Sequence, residues 1–175
     1  MRAMMLITDA YREQNRQLHA EREDYGTSGK AWAPKVRALA DWGRKAVLDF
    51  GCGKATLARR LGPAYQVTNY DPCIEGLDAT PAPHPVVVCG DVLEHVEPEC
   101  LDDVLVELRR VTQEVGLFVV HLTAAKKTLP DGRNAHLIQK PAEWWSDRIT
   151  AAGFVIETQT ASAHEAVFVA RPRHD

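Results

Sequence analysis

The chain of 175 residues is 45% hydrophobic and 26% charged, a balance that fits one globular domain and excludes a disordered or fibrous chain. A net charge of −3 supplies no clustered cationic surface for holding a polyanion, so nucleic acid is disfavoured as a partner. No apolar run approaches the roughly 20 residues that cross a bilayer, so no membrane partner is expected. Charges interrupt the first residues too early for a secretory signal, and the mature chain is read as starting at or near Met1.

In chain order, residues 8–25 mix charged and long polar residues with Tyr11, Leu18 and Tyr25 on a loose helical stripe, which predicts an exposed helix with one docking face. The glycines and hydroxyls of 25–30 predict a loop, and Trp32 to Trp42 reads as a second helix entered through Pro34 and ended by Gly43. An apolar run at 46–50, a short helix over 54–61, a stop at Gly62-Pro63 and a second run at 65–70 make a βαβ unit. Residues 71–85 hold four of the ten prolines, which leaves room only for a loop crossing.

Residues 86–90 form a buried-type strand, and Leu101, Val104, Leu105, Leu108 and Val111 repeat at helical spacing across 98–112. A strand at 116–122, a turn-rich stretch at 124–140 and a helix from Pro141 to Gly153 follow. The last two strands read as an antiparallel pair at a sheet edge. This alternation predicts an α/β, Rossmann-like doubly wound sheet, mostly parallel, with helices on both faces and ligands bound at the carboxyl ends of the strands.

The strongest chemical signal is the turn after the first strand, where Asp49, Gly51 and Gly53 lead into a helix. Positions without side chains let backbone N–H groups approach a ligand closely. A phosphate loop fails, because Gly53-Lys54 is followed by Ala55 and not by Ser or Thr. A dinucleotide fingerprint is weakened by Thr56, which stands where a small residue lets helix and strand pack closely. Cys52, Cys73, Cys89 and Cys100 contain no CxxC pair, so free thiols in a reducing cytoplasm are expected, and no metal.

The pattern Asp49, Gly51, Gly53 resembles motif I of the class I S-adenosylmethionine-dependent methyltransferases, with Ala55 where a third glycine is usual. Asp71, at the end of the second strand, matches the acid that holds the cofactor ribose in that family. Residues 86–96, with Asp-Val-Leu-Glu-His at 91–95, look like the signature of many small-molecule members, the methyltransferase type 11/12-like group. The resemblance implies S-adenosylmethionine as cofactor, held by Asp49, Gly51, Cys52, Gly53, Asp71, Pro72, Asp91 and Val92. It also implies one domain over 1–175, with a helical cover at 1–43 on a core at 44–175. The usual third strand and its helix are missing between Asp71 and Val86, so the sheet is shortened between strands two and four. Asp78 is the acid nearest to the usual adenine contact, and Tyr25, Ser28 and Trp32 are candidates for covering an opened pocket.

Methyl transfer from a sulfonium is an in-line displacement on an activated carbon, so alignment supplies much of the catalysis. A hydroxyl acceptor needs a base, and histidine has the suitable pKa, near 6.5. His95 and His136 are the candidate bases, with His121 nearby, and Arg133, Lys140 and Trp144 are candidate substrate contacts. Gly90-Asp91-Val92-Leu93 occupies the place where nucleobase amino-methylating enzymes carry an Asn/Asp-Pro-Pro-aromatic run, which favours a small-molecule acceptor. The histidines give O-methylation an edge over N-methylation. A catalytically silent S-adenosylmethionine-binding scaffold and an NAD-dependent Rossmann enzyme are the alternatives.

Overall fold

The computed structural model describes residues 4–41 and 45–174, so the predicted ends of the second helix at Trp42 and Gly43 lie outside the described residues. Six strands form one sheet: β1 (Ala46–Phe50), β2 (Gln66–Tyr70), β3 (His84–Gly90), β4 (Thr112–His121), β5 (Phe154–Ala161) and β6 (Glu165–Pro172). Their order is β2-β1-β3-β4-β6-β5. The first four are parallel, and β6 pairs antiparallel with both β4 and β5. Among the described residues no strand intervenes between β2 and β3, so the sheet is shortened where the sequence predicts.

β1, β3 and β4 are central strands with helices on both faces, which is why they read as continuous apolar runs. Leu48, Phe50, Val87, Cys89, Phe118 and Val120 point to one side, where α4 (Leu101–Val111) and α5 (Ala142–Ala151) bury Leu105, Leu108, Trp145 and Ile149. Val47, Val86, Val88, Leu117 and Val119 point to the other, against Val36 of α2 (Ala33–Ala40) and Leu57 of α3 (Thr56–Leu61).

Two strands begin earlier than predicted. β3 starts at His84, and its register against β4 shifts between His84 and Val86, where Pro85 has no N–H to give to the ladder. β4 starts at Thr112, directly off α4, because the Thr112 hydroxyl donates to the Leu108 carbonyl at 2.7 Å and closes the last helical turn. The chain moves outward from β1 to β2 on one side and returns to β3 on the other. The crevice at this switch point lies at the carboxyl ends, where Gly51, Asp71 and Asp91 follow β1, β2 and β3 and His121 ends β4.

Candidate active site

A cavity of about 870 Å³ opens at those carboxyl ends, within the size range of small-molecule sites. Gly51, Gly53, Asp71 and Pro72 border one part of it, and Asp91, Val92, His95, His121 and His136 border another.

The glycine turn is shaped by close approaches. A side chain at Gly51 would stand 2.4 Å from Val92 Cγ2, and one at Gly53 would stand 2.5 Å from the Gly26 carbonyl oxygen, with both glycines at positive φ. Ala55 takes a left-handed φ of 53°, which explains why glycine is at home in this place. Asp71 accepts from Gly53 N–H (3.0 Å) and Cys73 N–H (2.9 Å), so the carboxylate is fixed at the cavity edge with lone pairs left to accept hydroxyl donors. Asp49 and Cys52 are buried but do not line the cavity. Burial, then the nearby Asp71 charge, raises the Asp49 carboxyl to about 7.

The segment before α2 closes over this turn. Lys54 N–H donates to the Gly26 carbonyl (2.9 Å), and the Thr56 hydroxyl donates to the Thr27 carbonyl while accepting from Lys30 N–H, each at 3.0 Å. Thr56 thus ties loop to helix. α1 (Asp9–Glu21) packs alongside the cavity: Thr8, its cap, gives N–H and hydroxyl to Glu97, Tyr11 hydroxyl donates to the His95 carbonyl (2.7 Å), and His19 Nε2 lies 4.0 Å from Asp71 Oδ2. Burial is the main influence that lowers the His19 pKa, so this ring is neutral near pH 7. Tyr25 and Ser28 line the cavity; Trp32 does not, and it packs against Gly90.

Beyond β3, a single turn of 3₁₀ helix (Leu93–His95) presents Glu94 and His95. Glu94 is fully buried; its Oε1 accepts from His121 N–H (2.9 Å), while Oε2 has no donor. Burial, then contact with Asp91, raises its pKa well above the usual carboxylate range. Burial also pushes Asp91 upward, but hydrogen bonds with Glu94 and with Ser28 (2.7 Å) outweigh it and hold Asp91 below its ordinary value. The two carboxyls are thus coupled, with Glu94 the more readily protonated of the pair. His121 Nε2 lies 3.2 Å from Asp91 Oδ1. Burial pushes His95 down to about 4.

His136 arrives from the long loop between β4 and α5. The Asn134 side chain pins that loop, accepting from Ala125 N–H and His136 N–H and donating to the Ala125 carbonyl, each at 2.9 Å. His136 Nδ1 meets the Thr123 carbonyl at 2.6 Å, so Nδ1 carries the proton and Nε2 keeps its lone pair in the neutral ring. Its ring centroid is 4.8 Å from that of His95 and 5.4 Å from that of His121. The three candidate histidines are thus assembled.

The predicted substrate contacts are not. Arg133 pairs with Asp131 and lies over the Tyr11 ring, outside the cavity lining. Trp144 stands away from the cavity under the Lys140 and Arg148 cations, and Trp145 is wholly buried. Asp78 is exposed and does not reach the cavity. The dipeptide Pro72-Cys73 has the composition of a cysteine-nucleophile motif, but it follows β2, and burial pushes its thiol far up. Asn15, His19 and Glu97 also border the cavity; the helical spacing of Tyr11, Asn15 and His19 is the signal that could have found two of them.

No family model and no curated protein matches the chain. Solved structures do. The 1,6-didemethyltoxoflavin-N1-methyltransferase of Burkholderia thailandensis, with bound 1,6-didemethyltoxoflavin and S-adenosylhomocysteine, is 16% identical over 99% of this chain and 94% of its own, with a TM-score of 0.69. DhpI in complex with SAH is 23% identical over 95% of each chain, at 0.63. The mitomycin 7-O-methyltransferase MmcR is 14% identical over 89% of this chain and 60% of its own, at 0.62. The chain therefore has the Rossmann-like fold of the S-adenosylmethionine-dependent methyltransferases. Among the described residues no helix is long and apolar enough to cross a membrane.

Proposed function

We propose that this protein transfers a methyl group from S-adenosylmethionine to a small-molecule acceptor, with a hydroxyl oxygen as the favoured acceptor. The observation that carries this reading is one cavity shared by the glycine turn with Asp71 and by the cluster His95, His121 and His136. Gly51, Gly53, Asp71, Pro72 and Val92 would hold the cofactor, whose chemical contribution is a methyl group already activated on a sulfonium. Asp71 offers carboxylate lone pairs to a ribose, and the buried Asp49 lies beneath the turn. The N-terminal helices and the loop at Gly26 act as a cover over this part of the cavity.

On the acceptor side, His136 or His95 takes the proton from the nucleophile. His136 has the better geometry, since the Thr123 carbonyl fixes its tautomer and leaves Nε2 free to accept. The fold's relatives include N- and O-methyltransferases by name, so the preference for oxygen rests on the histidines alone.

The test is calorimetric titration with S-adenosylmethionine, S-adenosylhomocysteine and, as control, NAD. Micromolar binding of the first two alone supports the reading, and a labelled-methyl screen over metabolites then seeks the acceptor. Binding of NAD in their place would overturn it, and cofactor binding with no turnover on any acceptor class would favour a silent scaffold.

A further inference from the structure

Two carboxyl groups that face each other in a buried site need something positive between them. Glu94 and Asp91 are in that position, and Glu94 Oε2, on a fully buried side chain, has no donor. His95 Nδ1 is also buried without a partner. His136 donates Nδ1–H to the Thr123 carbonyl, which leaves Nε2 as the lone-pair atom of the neutral ring, the arrangement in which a backbone oxygen orients a metal-binding imidazole. Each of Asp91, Glu94, His95 and His136 offers one ligand atom, and these atoms all lie within 4.8 Å of one another.

We propose that Asp91, Glu94, His95 and His136 bind one divalent first-row cation, of the Mn²⁺, Co²⁺ or Zn²⁺ kind, in the histidine-lined part of the cavity. Donors bound at roughly 2.0–2.2 Å stand no more than about 4.4 Å apart, so small side-chain movements close the site. Two imidazoles with two carboxylates suit a first-row transition cation better than Mg²⁺ or Ca²⁺, which favour an all-oxygen shell. Ser28 and His121, both beside Asp91, are placed to hold the carboxylate in position. The sequence gives no such hint through its cysteines, which is where a metal site is ordinarily sought.

This inference rests on the methyl-transfer reading for its purpose, though not for its existence. A hydroxyl acceptor bound to the cation becomes more acidic and loses its proton to water. Its oxygen pair then forms the bond to the methyl carbon, while the carbon–sulfur pair stays on sulfur and S-adenosylhomocysteine leaves. With the cation bound, His95 and His136 serve as its ligands, and this role replaces the general-base role given to them in the metal-free reading.

The experiment uses the full chain, stripped with a chelator and titrated with Co²⁺, read by calorimetry and by the visible absorption of the bound ion, with and without saturating S-adenosylhomocysteine. One equivalent should bind at micromolar concentration or tighter, at least tenfold more tightly than Mg²⁺. His136→Ala and Asp91→Asn should each weaken it at least tenfold with little change in thermal unfolding, and His84→Ala, at the opposite end of β3 and outside the cavity lining, should not. Absence of binding under both conditions overturns the site, as does binding that neither variant weakens. The S-adenosylhomocysteine titration separates the two claims. If it binds and Co²⁺ does not, the cation site alone fails; if Co²⁺ binds and it does not, the site stands and the proposed function fails.

Discussion

The Asp71 carboxylate accepts a hydrogen bond from the Gly53 backbone at 3.0 Å, so the acid that ends β2 also fixes the turn that follows β1. Two elements of the proposed cofactor site therefore stand or fall together. Asp71→Ala removes the ribose acceptor and leaves the N–H groups of Gly53 and Cys73 unpaired. Each charge-assisted bond contributes about 1.5–3 kcal/mol, so affinity for S-adenosylmethionine should fall at least roughly tenfold. Asp71→Asn keeps one acceptor oxygen for the turn and should be the more stable of the two. Unchanged affinity in calorimetry would remove Asp71 from the ribose role.

Gly53→Ala should disturb the N-terminal cover. Its new methyl group would meet backbone atoms of Gly26 at 2.5–2.7 Å, and backbone cannot rotate aside as a side chain can. Strain plus displacement should cost about 2–4 kcal/mol, with faster proteolysis around residues 22–30. Gly76 also has positive φ but has nothing within 4 Å. Gly76→Ala should lose only about 1–2 kcal/mol, and equal losses at the two positions would contradict a close fit at Gly53.

Asp49 gives a pH signature. Its carboxyl is raised in the folded chain to about 7, against about 3.9 in an unfolded one. Below the lower value it is neutral in both states. Between the two values the unfolded chain releases the proton first, so stability falls as pH rises, and above about 7 the loss is complete. The full effect is at most about 4 kcal/mol. Denaturant midpoints measured from pH 4 to 8 should show this decline in the wild type and lack it in Asp49→Asn; parallel curves would rule it out.

His136→Ala should leave S-adenosylhomocysteine affinity within about twofold, because the His136 ring is bonded to Thr123 of its own loop and not to the glycine turn. Turnover on the acceptor returned by the methyl screen should fall by about 10²–10⁴. Equal turnover would take His136 out of the chemistry.

The strands and helices were legible where burial writes a pattern: the run Ala46–Phe50 matches β1 at both ends, and the apolar stripe of α4 is the one that packs. Asp71 and Asp91 were legible only through the family resemblance, while the alternation of strands and helices says no more than that ligands bind at the carboxyl ends of the strands. The loop between β4 and α5 was only half legible. His136 and Arg133 are neighbours in sequence, yet the turn held by Asn134 sends one into the cavity and the other toward Asp131. No periodicity records such a choice. Trp144 and Trp145 are likewise adjacent on one helix, and helical geometry sends them about 100° apart, so Trp145 is fully buried while Trp144 packs half-buried against the edge of the same core. The pairing of Glu94 with Asp91 was invisible for a different reason, since it depends on where a tight 3₁₀ turn places two carboxyls three residues apart.

The Gly26 carbonyl bears further on ligand choice. In dinucleotide-binding folds a pyrophosphate rests on the turn where the first strand enters its helix, drawn there by unpaired N–H groups. Here the chain's own carbonyl, bonded to Lys54 N–H at 2.9 Å, stands in that place and presents partial negative charge. A diphosphate could enter only by displacing Gly26 and breaking the links of Thr56 to Thr27 and Lys30. The protein carries in its own N-terminal segment a built-in competitor for anions, one that leaves the neighbouring carboxylate of Asp71 accessible to neutral hydroxyl groups.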